Sequence, residues 1–295
     1  MRYSAEAVID KAGHTFGKLK LVDIEYQNVL DLQKAMKSKI GRGGNPLKTS
    51  TVNKYIGFVK QIFESALTER IIQWNPAKGV KDLKRIEPKA RETLHRALTL
   101  EETDAFFKAA AEAKDWYLPL YEFMLKTGCR VGEAGALKLS DIRGGMINVK
   151  STVTKDEIGG IVIGDMAKTE AGNRKIPYNK AIRAAVEAQK AANGIMFGNV
   201  VRTDDRIFKA PAGGLLLENK VNKHIRKLCK ATGIERFTSH AFRATFATRA
   251  IESGMKPKTL SEILGHADIS ITMNLYTHVM ENTKAAEMQL VNVGI

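Results

Sequence analysis

Apolar residues at Val52, Ile56, Val59, Phe63 and Ala66 recur at steps of three and four, which predicts an amphipathic helix over 52–71 with Ser50-Thr51 as its cap. Lys54, Lys60 and Gln61 fall off that stripe. An earlier helix is expected over 25–37 with Val29, Leu30 and Leu32 inward, and Gly41, Gly43, Gly44 and Pro46 separate the two. Further on, Thr99-Leu100-Glu101-Glu102 reads as a capping box ahead of an alanine-rich run to Ala113, and another helix is expected over 116–126. The period then changes to two. Residues 147–153 and 160–163 alternate like strands, and 168–178 reads as a hairpin turning at Ala171-Gly172-Asn173. Helical patterning returns over 181–192, 216–231, 240–253, 258–264 and 270–289. The pattern predicts a mainly α fold with a small antiparallel β-sheet (α+β): a helical N-terminal domain over 1–78, a linker over 79–97 and a mixed domain over 98–295.

Composition narrows the class. The 295 residues are 44% hydrophobic and 27% charged, as in an ordinary globular protein. No run is long enough to span a membrane, Met1 to Glu6 lacks the apolar core of a signal peptide, and Cys129 and Cys229 are too few for a disulfide framework; a cytoplasmic protein is expected. Lys plus Arg number 47 against 32 Asp plus Glu, giving +15, an excess that suggests a polyanionic partner. Seven of the cations, Lys78, Lys81, Lys84, Arg85, Lys89, Arg91 and Arg96, crowd the stretch after Asn75-Pro76 that leads through the expected linker, against Asp82, Glu87 and Glu92. A solvated loop and a strap across a DNA backbone both fit that segment.

Several chemistries are absent. Gly159 and Gly164 have the first spacing of a P-loop, but Asp165 stands where its Lys must be. There is no zinc-protease His-Glu-x-x-His, no Gly-x-Ser-x-Gly elbow, and no carboxylate cluster for two metals. What remains is cationic and imidazole chemistry. Arg130 and Glu133 stand one helical turn apart, as do His240 and Arg243, with Thr238 or Ser239 capping the second helix; Leu264-Gly265-His266 precedes Tyr276. Arginine forks hold phosphate oxygens, histidine moves protons near neutrality, lysine can protonate a leaving alkoxide, and tyrosine can attack phosphorus. Each residue alone also has an ordinary reading, such as a surface ion pair, a cap or a core ring, so spacing leaves the question open.

Motif order adds more. Thr127-Gly128-x-Arg130-x-Gly132-Glu133, then Lys168-Thr169-x-x-Gly172-x-Arg174-x-Ile176-Pro177, His240-x-x-Arg243, Leu264-Gly265-His266 and Tyr276-x-His278 together resemble the signature of the tyrosine recombinases, the phage-integrase family. The catalytic resemblance covers about 97–285, and the first ~75 residues resemble the family's core-binding domain, including Thr51-Val52-Asn53 and Asn75-Pro76. The resemblance implies that Tyr276 is the nucleophile, that Arg130 and Arg243 hold the scissile phosphate, and that Lys168 is the general acid. It also implies proton transfer by His240, a phosphate hydrogen bond from His266, and a supporting role for Glu133 in orienting Arg130 or His240. Lys54, Lys60, Lys81, Lys84, Arg85, Lys89 and Arg91 are the expected contacts to DNA.

By the same resemblance the two domains form a C-shaped clamp on double-stranded DNA, four copies assemble on two sites, and accessory DNA-bending proteins can take part. The tail after Tyr276, with Val279, Ala285, Ala286, Met288 and Leu290 apolar, would pack on a neighbouring copy or on its own domain. No metal, ATP or other cofactor is implied. Core-binding features begin near Gly17-Lys18-Leu19, leaving no room for the arm-binding domain of many family members, so the chain is expected to be trimmed or a short form. A recombinase of a mobile element is the expected function. A Xer-type resolvase, a type IB topoisomerase and a non-catalytic DNA-binding regulator are the alternatives.

Overall fold

The computed structural model describes residues 15–39, 46–84, 96–156, 158–165, 173–198 and 206–279. The chain separates into two compact units, Met1–Ala90 and Arg91–Ile295. It is mainly helical with small antiparallel sheets.

In the first unit, α1 (Tyr26–Ser38) packs on α2 (Thr49–Thr68). The predicted stripe is the core: Val52, Ile56, Val59, Phe63 and Ala66 are all buried, against Val29, Leu32 and Met36 of α1. Leu30 is partly buried at the edge. The cap differs from expectation. The helix starts three residues earlier than expected, at Thr49, with Lys48 at the N-cap and no side-chain cap bond. Two asparagines tie the unit's exit. Asn75 donates to Glu64 Oε2 at 2.8 Å and accepts from the Ala77 N–H at 2.9 Å. Asn53 takes both backbone groups of Leu83, donating to its carbonyl at 3.0 Å and accepting from its N–H at 2.9 Å. Residues 79–84, at the head of the expected linker, therefore lie on the first unit, with Val80 buried in its core.

The second unit opens on α3 (Leu100–Glu112). Its capping box is formed as predicted, Thr99 Oγ1 accepting from Glu102 N–H at 3.2 Å and Glu102 Oε2 from Thr99 N–H at 3.0 Å. Helices α4 (Leu118–Thr127) and α5 (Val131–Ala136) follow. Then come β1 (Ile142–Arg143), β2 (Met146–Val149), β3 (Ser151–Lys155), β4 (Ile161–Asp165) and β5 (Arg174–Pro177). The expected strand over 147–153 is two strands, broken at Lys150. β2 pairs antiparallel with β1 and β5, with Asn148 opposite Lys175, whereas β3 pairs only with β4 in a separate two-stranded sheet. The turn expected at 171–173 lies outside the described residues apart from Asn173.

Among the described residues five helices complete the unit: α6 (Lys180–Phe197), α7 (Glu218–Thr232), α8 (His240–Glu252), α9 (Pro257–Leu264) and α10 (Ile269–Val279). The expected continuation of the last helix to 289 lies outside the described residues. Aromatic rings fill the centre. Phe106 meets Tyr121, Phe237 and Phe242 at centroid distances of 5.1–5.5 Å, and Tyr121 stacks on Phe242. A second apolar cluster joins Ala247, Ala250 and Ile251 of α8 to Leu260 and Leu264 of α9, with Phe246, Leu275, Tyr276 and Val279 packed against it. Among the described residues no helix is long and apolar enough to cross a membrane.

Candidate active site

The α4–α5 junction is the base of the site. Gly128 ends α4 at φ +68°, and a Cβ there would stand 2.6 Å from Leu264 Cδ2 and 2.7 Å from Phe246 Cδ1. Only glycine takes that conformation and that approach without strain. The turn brings Arg130 to the N-cap of α5, where its N–H bonds Glu133 Oε2 at 2.9 Å and its Nη1 bonds Glu133 Oε1 at 2.8 Å. The Arg130 side chain stays 42% exposed, so its guanidinium is held and still reachable.

Glu133 is buried, and a second arginine reaches it. Arg174 of β5 donates Nη2 to Oε2 at 2.6 Å and Nη1 to Oε1 at 3.3 Å. It also donates Nε to the Ile263 carbonyl at 2.6 Å, and its Nη2 lies 3.8 Å from Cys129 Sγ. Burial alone would raise the Glu133 carboxyl, but the Arg174 hydrogen bond and charge, with help from Arg130, hold it below the usual carboxylate range. Burial pushes the Cys129 thiol up to about 11, which keeps it protonated and inert as a nucleophile.

Arg243, on α8, is buried and donates to two backbone carbonyls, Nη1 to Gly128 at 2.8 Å and Nη2 to Leu264 at 2.7 Å. Burial and the charge of Arg130 lower its pKa to about 10, so it remains a cation at neutral pH. His266 follows Gly265, which caps α9 in the left-handed region at φ +67°. Its Nδ1 lies 2.8 Å from Thr272 Oγ1. Burial, then the charges of Arg243, Arg130 and Arg174, press the His266 pKa down to about 4, so the ring is neutral at pH 7. Arg130, Arg174 and Arg243 thus share the field of one carboxylate, and His266 stands in the field of the three arginines.

The remaining expected residues stand as follows. Tyr276 is half-buried on α10 against the apolar cluster of α8 and α9; among the described residues its hydroxyl has no hydrogen-bond partner. His240 opens α8 with Nδ1 3.4 Å from Glu218 Oε1. Of the two partners expected for Glu133, Arg130 is bonded to the carboxylate. Ser239 sits at the N-cap without a cap bond; its hydroxyl approaches Glu218 at 3.4 Å. Lys168 lies outside the described residues, as do Arg85, Lys89 and Arg91. In the first unit Lys54, Lys81 and Lys84 are exposed, and Lys60 pairs with Asp82 at 3.4 Å.

The sequence reading assigned no role to Arg174, Thr272 or Glu218. A signal for Arg174 was available: period-two alternation puts it on the same face as Ile176, and an arginine facing a core requires a buried acid. Its exposed strand neighbour Lys175 lines a cleft of about 430 Å³ with Arg143, Asn148 and Lys150. Among the described residues no group of three or more His, Cys, Asp or Glu side chains is placed to hold a metal ion.

Residues 96–283 match the phage integrase family. The chain belongs to that family. This phage-integrase chain is 27% identical over 267 residues to the transposase from transposon Tn916 of Enterococcus faecalis, covering 82% of the chain and 62% of that relative's length. It is 25% identical over 279 residues to the ICEBs1 integrase of Bacillus subtilis, covering 92% and 72%. It is 28% identical over 236 residues to tyrosine recombinase XerD of Halalkalibacterium halodurans, covering 78% and 71%. Its fold is similar to that of a Tn1549 transposon integrase fragment in complex with a circular intermediate DNA, with a TM-score of 0.78 and 22% identity over 99% of this chain and 93% of that one. It is also similar to a lambda integrase dimer bound to a core site, with a TM-score of 0.62 and 18% identity over 93% and 86%.

Proposed function

We propose that the protein is a site-specific DNA recombinase of a mobile element, which cuts and rejoins double-stranded DNA through a 3′-phosphotyrosyl intermediate. The observation that carries this reading is the arginine pair Arg130 and Arg243, fixed by Glu133 and two backbone carbonyls, with a neutral His266 in the field of their charges. Such a cluster is suited to the extra negative charge of a five-coordinate phosphorus. The Tn916 transposase and the ICEBs1 integrase, which align over 82% and 92% of the chain, support a mobile-element role.

In this mechanism the Tyr276 oxygen attacks the scissile phosphorus and yields its proton, with His240 assisting. A bond forms between tyrosine oxygen and phosphorus as the bond to the 5′-oxygen breaks. Lys168 gives that oxygen its proton. Arg130 and Arg243 hold the non-bridging oxygens, and His266 donates a hydrogen bond to one of them. The phosphotyrosyl ester keeps the energy of the broken phosphodiester, so attack by a 5′-hydroxyl reverses the step and joins either the original or a partner strand.

Lys54, Lys60, Lys81 and Lys84 of the first unit and Arg143, Lys150 and Lys175 beside the sheet are proposed contacts to the DNA backbone, as are Arg85, Lys89 and Arg91 of the expected linker. Both units bind the duplex, and four copies act together on two sites, with the C-terminal tail packing on a neighbour and accessory bending proteins assisting. The setting is the bacterial cytoplasm. The test is covalent trapping on nicked duplexes that lose their 5′ fragment on cleavage. A denaturation-resistant protein–DNA adduct that forms with chelator present and vanishes in Tyr276→Phe supports the proposal; an equal adduct in both proteins overturns it.

A further inference from the structure

Thr272 precedes Tyr276 by four residues on α10, so the two side chains share a face one turn apart. Thr272 is fully buried although Ile271 and Met273 beside it are exposed. Its hydroxyl therefore faces the protein, where among the described residues it meets Nδ1 of His266 at 2.8 Å. A neutral imidazole carries a single N–H, and the partner of one nitrogen decides which nitrogen bears it. A hydroxyl can donate or accept. The two choices differ at the far side of the ring. If Thr272 donates, Nε2 carries the hydrogen and can bond an anion. If Thr272 accepts, Nε2 presents a lone pair, which repels phosphate oxygens. Arg130, Arg174 and Arg243 stand near enough to perturb the ring, and an anion drawn by those charges needs a donor beside them.

We propose that Thr272 is a positioning residue: its hydroxyl donates to Nδ1, fixes His266 as the Nε2–H tautomer, and so ties the helix that carries the nucleophile to the group that binds the phosphate. The inference rests on the recombinase reading for the identity of the anion. One hydrogen bond then sets two things together. With α10 docked, Tyr276 is in place and His266 is a donor; with α10 displaced, the ring loses the partner that selects its tautomer.

The test uses the full chain labelled with ¹⁵N-histidine, His266 being assigned by its loss in His266→Gln. Long-range proton–nitrogen correlation reads the tautomer without DNA. Wild type and Thr272→Ser should both show Nε2–H, and Thr272→Val, similar in shape but without the hydroxyl, should show a mixture. On a trapping duplex at saturating concentration, Thr272→Val should form the Tyr276 adduct about tenfold more slowly, the rate equivalent of one hydrogen bond, with DNA affinity within about twofold of wild type and Thr272→Ser restoring the rate. An Nδ1–H tautomer in the wild type, or a wild-type rate in Thr272→Val, overturns the inference. If Thr272→Val does not fold, the wild-type and Thr272→Ser spectra decide it. An Nε2–H ring with no adduct in wild type overturns the recombinase reading and leaves the role of Thr272 in orienting the ring intact.

Discussion

Arg174 and Glu133 form an ion pair with side chains only 4% and 1% exposed, and the same carboxylate holds Arg130 at the edge of the site. Removing the acid leaves a buried arginine without a counter-charge, which costs far more than losing a surface pair. Glu133→Gln should lower the unfolding free energy by about 3–5 kcal/mol in a urea titration. Adding Arg174→Met should recover much of that loss, because it removes the orphaned charge. A double variant as unstable as the single one would contradict this account of the pair.

Arg130 contributes charge with little packing, since its side chain is 42% exposed and Glu133 keeps Arg174 when Arg130 is gone. Arg130→Ala should fold with near wild-type stability and slow adduct formation by roughly 10²–10³, the loss seen when one transition-state donor is removed. Tyr276→Phe should abolish the adduct altogether and leave DNA affinity nearly unchanged. Gel-shift and single-turnover measurements on the same preparations separate the two effects.

His266 links stability to acidity. Its folded pKa of about 4 is depressed first by burial and then by Arg243, Arg130 and Arg174. The unfolded chain, with an ordinary imidazole pKa of about 6.5, takes up the proton first as pH falls. The stability associated with His266 is therefore intact above about pH 6.5 and is lost on acidification toward about pH 4. Denaturation midpoints should fall across that window, and His266→Gln should flatten the slope. Identical slopes in the two proteins would show that the ring is not held neutral.

Gly128→Ala combines a positive φ with overlap against Leu264 and Phe246. A loss of about 1–3 kcal/mol is expected from strain and overpacking. The Gly128 carbonyl also holds Arg243, so adduct formation at saturating DNA should fall further than the loss of folded protein explains. Gly144→Ala is the control: it also has positive φ, but a Cβ there meets nothing within 4 Å, and it should leave the rate per folded molecule unchanged.

Much of this was legible because local chemistry and tertiary packing agree. The stripe from Val52 to Ala66 is a core because steps of three and four leave one face apolar, and Thr99 with Glu102 caps α3 because both donors of the box lie within one turn. The Thr49 start of α2 was not legible, since its N-cap residue, Lys48, has no capping side chain to mark it. Nor was the break at Lys150, where the alternation continues but the partner strand changes from β5 to β4. In the site, the motifs named Arg130, Arg243, His266 and Tyr276, while Arg174 with Glu133 and Thr272 with His266 are contacts that only the folded chain creates.

The anchoring of Arg243 also bears on when the site comes into being. Its guanidinium joins the carbonyl of Gly128, 115 positions before it, to that of Leu264, 21 positions after it. Contacts so distant along the chain form late, after the entropy of closure has been met by the surrounding core. A nascent or partly folded chain, even one with α4 and α5 in place, has Arg130 but no assembled arginine pair. Under the proposed function, the capacity to break DNA arises only once α8, α9 and the strand bearing Arg174 have come together, so incomplete molecules are harmless to the genome that encodes them.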